Sequence, residues 1–210
     1  MKPRSVIQGV VSVAILVFAA GIWSGGSKPS SAWLDYYSYA ATAALAAYWL
    51  WETLFWRLPV VQRMGIAPRN LRGTWQGTLA PVAANGTSSI LHGSKDVYLV
   101  IRQSASTVRA FLLTDEAQSV STLASVNSEA GVASLDYVYS NSPDLRHRHR
   151  SPIHNGSCSL KITGVPATRL KGSYWTDRNS CGELEFTKRV SSSAEDFNEA
   201  KAMFANETKR

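Results

Sequence analysis

Uncharged stretches and alternating stretches divide this chain into two parts with different periods. From Val6 to Trp23 there is no charged residue, and as a helix rising ~1.5 Å per residue the run would extend about 27 Å, nearly the thickness of a hydrocarbon core. A second run, Tyr36 to Leu58, is interrupted only near its end by Glu52 and Arg57, where long side chains reach the headgroups. Rings cluster at both ends of that run, Trp33, Tyr36, Tyr37 and Tyr39, then Trp49, Trp51 and Trp56, as amphipathic rings do at the two interfaces. Between them Ala40, Ala41, Ala43, Ala44, Ala46 and Ala47 let a neighbouring helix approach closely. The pattern predicts two transmembrane helices joined by the connector Ser24–Ser31, with Gly25, Gly26 and Pro29. A cleavable signal peptide is the alternative for the first run, since Lys2 and Arg4 precede it and Ala19, Ala20 and Gly21 would suit a peptidase. Arg57, Arg63, Arg69 and Arg72 follow the second run, against Lys28 alone in the connector. That bias puts both termini on the cytoplasmic side.

Beyond Arg72 the period falls to two. Gly73, Trp75, Gly77 and Leu79 share one face of a strand. Asp96 to Gln103 and Thr107 to Leu113 flank Ser104-Ala105-Ser106, a hairpin-length connection. Ser119 to Val126 alternates Val120, Thr122, Ala124 and Val126, and pairs around Gly131 with Ala133 to Tyr139, which sets Leu135, Tyr137 and Tyr139 on one face. Ser157 to Ile162, Arg169 to Thr176 and Gly182 to Thr187 complete about eight strands with little helix between them. Antiparallel pairing in chain order needs no crossover and closure removes exposed edges, so an up-and-down, lipocalin-like barrel is preferred to a sandwich. Trp75, inward on the first strand as Gly73-Thr74-Trp75, resembles the Gly-x-Trp plug of lipocalin-like barrels. A short final helix is expected after Ser193 as cap, with Glu195 and Asp196 in its first turn and Phe197, Ala200 and Phe204 as its apolar stripe.

With 210 residues, 45% of them hydrophobic, the chain can hold one substantial core and an accessory segment. Its mean hydropathy of −0.11 averages an apolar first quarter with a polar remainder. Cys158 and Cys181 fall on opposite parities of their strands, so no disulfide is expected and a reducing compartment fits. No phosphate-cradling glycine loop, Gly-x-Ser-x-Gly elbow, His-Glu-x-x-His or Cys-x-x-Cys pair occurs, which sets an enzyme last among the readings. His147, His149 and His154 crowd one segment, but Arg146, Arg148 and Arg150 beside them would repel a metal cation. The segment Ser140–Asn155 suits an anion better, because guanidinium forks match phosphate oxygens in geometry and sign. Tyr137, Tyr139, Tyr174 and Trp175 stand near it or near Thr176-Asp177-Arg178-Asn179. Flat rings beside fixed cations suit bases joined to phosphates. Tyr137, Tyr139, Arg146, Arg148, Tyr174, Trp175, Thr176 and Arg178 are therefore the candidate ligand-binding residues, with no catalytic residue and no metal ligand expected.

The order of parts carries a resemblance. A two-helix hairpin, Arg69-Asn70-Leu71-Arg72-Gly73-Thr74-Trp75-Gln76-Gly77, Leu135-Asp136-Tyr137-Val138-Tyr139 and Gly172-Ser173-Tyr174-Trp175-Thr176-Asp177-Arg178 together resemble the bacterial CBASS (cyclic-oligonucleotide-based antiphage signalling) effectors that have two transmembrane helices and a β-strand-rich barrel. The likeness covers nearly the whole chain, and it rests on the order of the pieces rather than on one motif. It implies a multi-pass protein of the bacterial inner membrane, with residues 1–70 a transmembrane hairpin and linker, 71–190 a cytoplasmic barrel sensor and 191–210 a short helix or tail. It further implies that the barrel binds a cyclic dinucleotide as activating ligand, that the protein self-associates into a homo-oligomer and disrupts the bilayer to kill the infected cell, and that neither a cofactor nor a DNA or RNA polymer is needed. Two other readings stand beside it: a membrane-tethered lipocalin-like carrier of an apolar ligand, and a ligand-free membrane scaffold.

Overall fold

A computed structural model describes residues 3–25, 32–82, 93–129, 131–149 and 151–207. Residues 26–31 of the expected connector, with Lys28, lie outside them, as do Lys2 and Arg150. The chain forms two compact units, Met1–Ala67 with Ser104–Ser106, and Pro68–Gln103 with Thr107–Arg210.

In the first unit α1 (Pro3–Gly25) packs on α2 (Ala32–Thr53). A Cβ at Gly21 would lie 2.7 Å from the Tyr36 ring, so the absent side chain makes room for that ring on the neighbouring helix. Ala40 and Ala44, one turn apart on α2, are buried, while Ile15, Leu16, Trp23, Leu45 and Trp49 are exposed. A 3-10 turn at Phe55–Arg57 and the short helix α3 (Pro59–Arg63) follow. Trp56 is fully buried with Ala67 and Ala105. Gln62 Nε2 donates to the Trp56 carbonyl at 2.6 Å, and the Ser106 N–H donates to Glu52 at 3.3 Å.

Two expectations are corrected here. Among the described residues no helix is long and apolar enough to cross a membrane. The predicted pair of transmembrane helices, and with it the placement as a multi-pass inner-membrane protein with cytoplasmic termini, is not upheld. The reason is plainest in α2, where freedom from charge was read as apolarity. Tyr36, Tyr37, Ser38, Tyr39, Thr42 and Tyr48 are uncharged but polar, alanine adds little transfer energy, and Asp35 and Glu52 bound the run.

The second unit is a closed antiparallel barrel in chain order: β1 (Gly73–Val82), β2 (Lys95–Gln103), β3 (Val108–Leu113), β4 (Ala117–Glu129), β5 (Val132–Pro143), β6 (His154–Thr163), β7 (Arg169–Thr176) and β8 (Cys181–Val190). Closure comes from β1 against β8, from Thr74 opposite Val190 to Val82 opposite Cys181. Each strand alternates inward and outward side chains, and Leu99, Ile101, Leu135, Leu160, Leu170 and Phe186 fill the interior. Large inward rings sit beside glycines on paired strands. A Cβ at Gly77 would lie 2.5 Å from Phe186, one at Gly156 2.5 Å from the Tyr139 hydroxyl, and one at Gly182 2.7 Å from the Tyr174 ring.

One end is sealed by Trp75, which has no exposed surface. Its Nε1–H donates to the Leu71 carbonyl at 2.8 Å, and the Arg189 guanidinium lies over its ring at 5.3 Å. Arg189 also donates to the carbonyls of Asn70 and Arg72. The first strand thus carries the inward Trp that its pattern predicted.

Two local expectations move. A β-bulge at Ser121–Leu123 breaks the alternation of β4. Val120 and Thr122 were assigned to the same face as Ala124 and Val126. Instead Ser119 and Ser121 are buried in the first half while Val120 and Thr122 are exposed, and Ala124 and Val126 turn to the core only after the bulge. The final helix, α4 (Phe197–Glu207), starts later than Ser193 would have set it. Asp196 caps it, Oδ1 accepting from the Glu199 N–H at 2.8 Å, while Glu199 accepts from the Glu195 N–H at 2.7 Å. Phe197 and Phe204 then pack on Tyr98, on the barrel's outer face, with ring centroids 5.3 and 5.7 Å away.

Two outcomes follow. Replacing Trp75 by Ala should cost about 3–5 kcal/mol in urea unfolding of the full chain, while Phe, which keeps one aromatic ring but loses some volume and the N–H, should cost less; equal losses would contradict the plug. Cys158 is buried among core residues, and burial pushes its thiol up from 9.0 to about 12. An unfolded thiol therefore releases its proton before the native one, so stability should fall as pH rises from about 9 towards 12. Denaturant midpoints across that range should decline less steeply for Cys158→Ala.

Candidate functional site

The end opposite Trp75 is open. Its strand ends carry Leu79 and Pro81, Lys95, Asn141, His154, Thr176 and Ser180, and they surround a cavity of about 220 Å³. Tyr137, Tyr139, Tyr174, Thr176 and Arg178, five of the eight residues predicted from sequence, line it together. Tyr137 and Tyr139 come from one face of β5, their ring centroids 5.9 Å apart. Tyr174 arrives from β7, two strands away, opposite Cys158 on β6.

Burial raises the pKa of all three phenols above the ordinary tyrosine value, with Cys158 adding to the rise at Tyr137 and Tyr139 and Cys181 at Tyr174. They are neutral at any physiological pH. Tyr137 is 4% exposed, and its hydroxyl finds no oxygen or nitrogen partner among the described residues; only the Cys158 thiol is beside it. A buried polar group left this way is costly, about 1–3 kcal/mol, unless something else supplies the partner.

The β7–β8 turn holds Arg178 in place. Thr176 N–H donates to the Ser180 carbonyl at 2.9 Å, the two hydroxyls lie 2.7 Å apart, and the Arg178 N–H donates to Thr176 Oγ1 at 3.3 Å. Asn179 takes the left-handed conformation, φ 56°, that such a turn needs and that its residue type tolerates. Asp177 ties the turn to β6 by accepting from the Asn155 N–H at 3.0 Å and donating its own N–H to the Asn155 carbonyl. The Arg178 guanidinium donates to Ser151 Oγ at 3.1 Å from an exposed position at the rim. Across the mouth Lys95 lies 3.7 Å from Glu116.

The other three predicted residues are elsewhere. Arg146 and Arg148 line a separate cavity of about 490 Å³ with Gln118, Val120 and Ser142, the outward residues of β4 and β5. Arg148 Nε donates to the Pro143 carbonyl at 3.2 Å. They are on a 3-10 turn at Leu145–His147 and just beyond it, because β5 runs on to Pro143 and β6 begins at His154, leaving a shorter loop than Ser140–Asn155. Trp175 is 51% exposed and lines a shallow outer depression with Leu123, Val138 and Asp136. Burial there pushes the Asp136 carboxyl up, but hydrogen bonds from Ser159, Ser134 and Asn127 outweigh it and hold its pKa below the ordinary value.

Sequence reasoning missed Lys95, Ser119, Asn141, His154 and Ser180 as lining residues. Asn141 was legible by parity, since it continues the face of Tyr137 and Tyr139. Ser119 was hidden by the bulge. The pair is joined, with Ser119 Oγ donating to Asn141 Oδ1 at 2.7 Å.

The arrangement offers neutral rings, polar groups at depth and a rim where Arg178 and Lys95 stand with Asp115. Residues 67–188 match the family described as "Cap15, cyclic dinucleotide receptor domain". The chain is also 26% identical over 174 residues to CD-NTase-associated protein 15 of Staphylococcus schleiferi, an alignment covering 83% of this chain and 87% of that protein. The family match spans more than half of the chain and nearly all of the barrel, so the chain belongs to the family of Cap15 cyclic dinucleotide receptor domains.

Proposed function

We propose that this protein is a cyclic dinucleotide sensor of bacterial antiphage defence and that the ligand binds at the open mouth of the barrel. The observation that carries the reading is the buried Tyr137 hydroxyl, with no oxygen or nitrogen partner and only the Cys158 thiol beside it, at the base of a cavity whose walls are phenols and whose rim holds Arg178. Rings of this kind stack on bases, and a guanidinium at the rim pairs with phosphate oxygens. Membership of a family described as cyclic dinucleotide receptors supports the ligand class. The placement of the sensing function within residues 71–190 is part of the proposal, as is the direct contact of Tyr137, Tyr139, Tyr174, Thr176 and Arg178 with ligand. Arg146 and Arg148, outside the cavity, act in this reading by long-range attraction of a dianion, and Trp175 makes no contact. The protein is a receptor in this account, and no bond is made or broken.

The response we propose is ligand-driven self-association. A ligand at the mouth meets residues of the β3–β4 and β7–β8 turns and the first residue of β6 at once. It shifts the protein towards an associated state to the extent that it binds that state more tightly. The packed interior gives the carrier reading no comparable support, because Leu, Trp and Phe side chains occupy the space that an apolar cargo would need.

Isothermal titration calorimetry of the full chain with cyclic dinucleotides should give saturable binding, and light scattering should show the particle mass rising with ligand. Arg178→Ala should weaken binding by about 1.5–3 kcal/mol, the worth of a charge-assisted contact. Saturable binding with Arg178→Ala at full affinity would remove the mouth as the site.

A further inference from the structure

The mouth cavity measures about 220 Å³, below the ~300–1,000 Å³ of pockets that enclose drug-sized ligands. A cyclic dinucleotide, with two bases, two sugars and two phosphates, exceeds such a ligand. Resting on the sensor reading above, the geometry points to one nucleobase entering the cavity and being selected there by Asn141, with a preference for a base that presents a carbonyl, uracil or guanine, over adenine.

The selection follows from what Ser119 does to the amide. Asn141 is 8% exposed, lines the cavity from β5, and its Oδ1 already accepts from Ser119 Oγ at 2.7 Å. No hydrogen bond from its NH₂ is found among the described residues. An asparagine pairs with adenine through both ends of its amide, the oxygen accepting from the amino group while the nitrogen donates to a ring nitrogen. Ser119 occupies one of the oxygen's two lone pairs and sets the direction of the amide, which leaves a weaker acceptor for the adenine amino group. A carbonyl at the edge of uracil or guanine needs only the donor that is left. The Tyr137 hydroxyl has only the Cys158 thiol beside it, and its oxygen can still accept from the neighbouring ring N–H of the same edge.

Depth sorts the ligand. Tyr137, Asn141 and Ser119 are buried, while Arg178 is exposed and the Lys95 side chain half-exposed. The phosphates and the second base therefore stay at the rim, and the second base is read loosely or not at all.

The test is calorimetry of the full chain with the six 3′,3′-cyclic dinucleotides of adenine, guanine and uracil, homogeneous and mixed. Every ligand with at least one uracil or guanine should bind at least about tenfold more tightly than the all-adenine one, and changing the second base should alter affinity less than about threefold. In Asn141→Ala that preference should collapse to within about threefold. Ser119→Ala, which frees the amide to turn, should lower the discrimination while keeping the affinity for uracil or guanine ligands. Arg178→Ala should weaken all six alike and leave their order unchanged. Thermal melting of each variant establishes that it is folded, and the conservative Ser119→Ala carries the test should Asn141→Ala unfold. Binding without discrimination, or discrimination that survives in a folded variant at either Ser119 or Asn141, overturns this inference and leaves the sensor reading standing. Failure of all six to bind overturns both.

Discussion

The interior of an eight-strand barrel is only about as wide as the side chains that fill it, so sealing one end decides where anything else can enter. Here the seal is Trp75, and it is held from two sides. Its indole N–H is bound to the Leu71 carbonyl, its face lies under Arg189, and Arg189 is in turn held by the carbonyls of Asn70 and Arg72. Burial lowers the pKa of that guanidinium, and an arginine stays charged at any physiological pH. The seal costs the desolvation of a cation and recovers it through backbone acceptors at the point where β1 enters the barrel. Closure by β1 against β8 then fixes the remaining register.

The open end follows from a second constraint, the bulge in β4. A strict alternation through β4 would have carried Val120 inward and Ser119 outward, extending the apolar core to the rim. One extra residue near Thr122 reverses that face over the last turns of the ladder. Ser119 then meets Asn141 in the interior, Ser121 accepts the Ala110 N–H at 3.0 Å, and the lining changes from aliphatic to polar within a few residues. Bulges re-aim side chains next to functional sites in many sheets. The glycines at 156 and 182 complete the change of character, giving Tyr139 and Tyr174 room to lie inside the wall rather than block the mouth.

The strands were legible in the sequence because period two leaves a strong trace wherever one face is buried, and all eight expected segments coincide with strands, some of them longer than drawn. The seal was legible too, from Gly73-Thr74-Trp75. What was not legible had specific causes. A bulge leaves no residue signature, so β4 was assigned one continuous face. Trp175 was grouped with Tyr174 by nearness in the chain, although adjacent residues of a strand point to opposite sides. Arg146 and Arg148 were joined to the rings by charge, yet their short loop holds them on the outer side of β4 and β5. The N-terminal runs show the opposite error. Counting charges alone made Tyr, Ser, Thr and Ala look as apolar as Leu, and α2 is built mainly of the former.

A receptor that responds to one small molecule has to keep binding groups unsatisfied without letting its own core satisfy them. This barrel keeps the two apart by depth. The apolar half and the Trp75 seal supply the stability that can tolerate a buried hydroxyl without an oxygen or nitrogen partner at Tyr137 and an amide with one end free at Asn141. The cost of those groups is modest against a core of this size, and in the proposed reading it is recovered when a ligand supplies the missing partners. Neutral phenols suit that task better than charged groups would, because a phenolate in the same wall would repel the phosphates that Arg178 attracts. Burial keeps all three in the protonated form. The mouth therefore combines neutral phenols inside with a rim of mixed charge, where Arg178 and Lys95 stand with Asp115 and Asp177 nearby, and in the proposed reading an anion carrying a flat ring would engage Arg178 and the rings together.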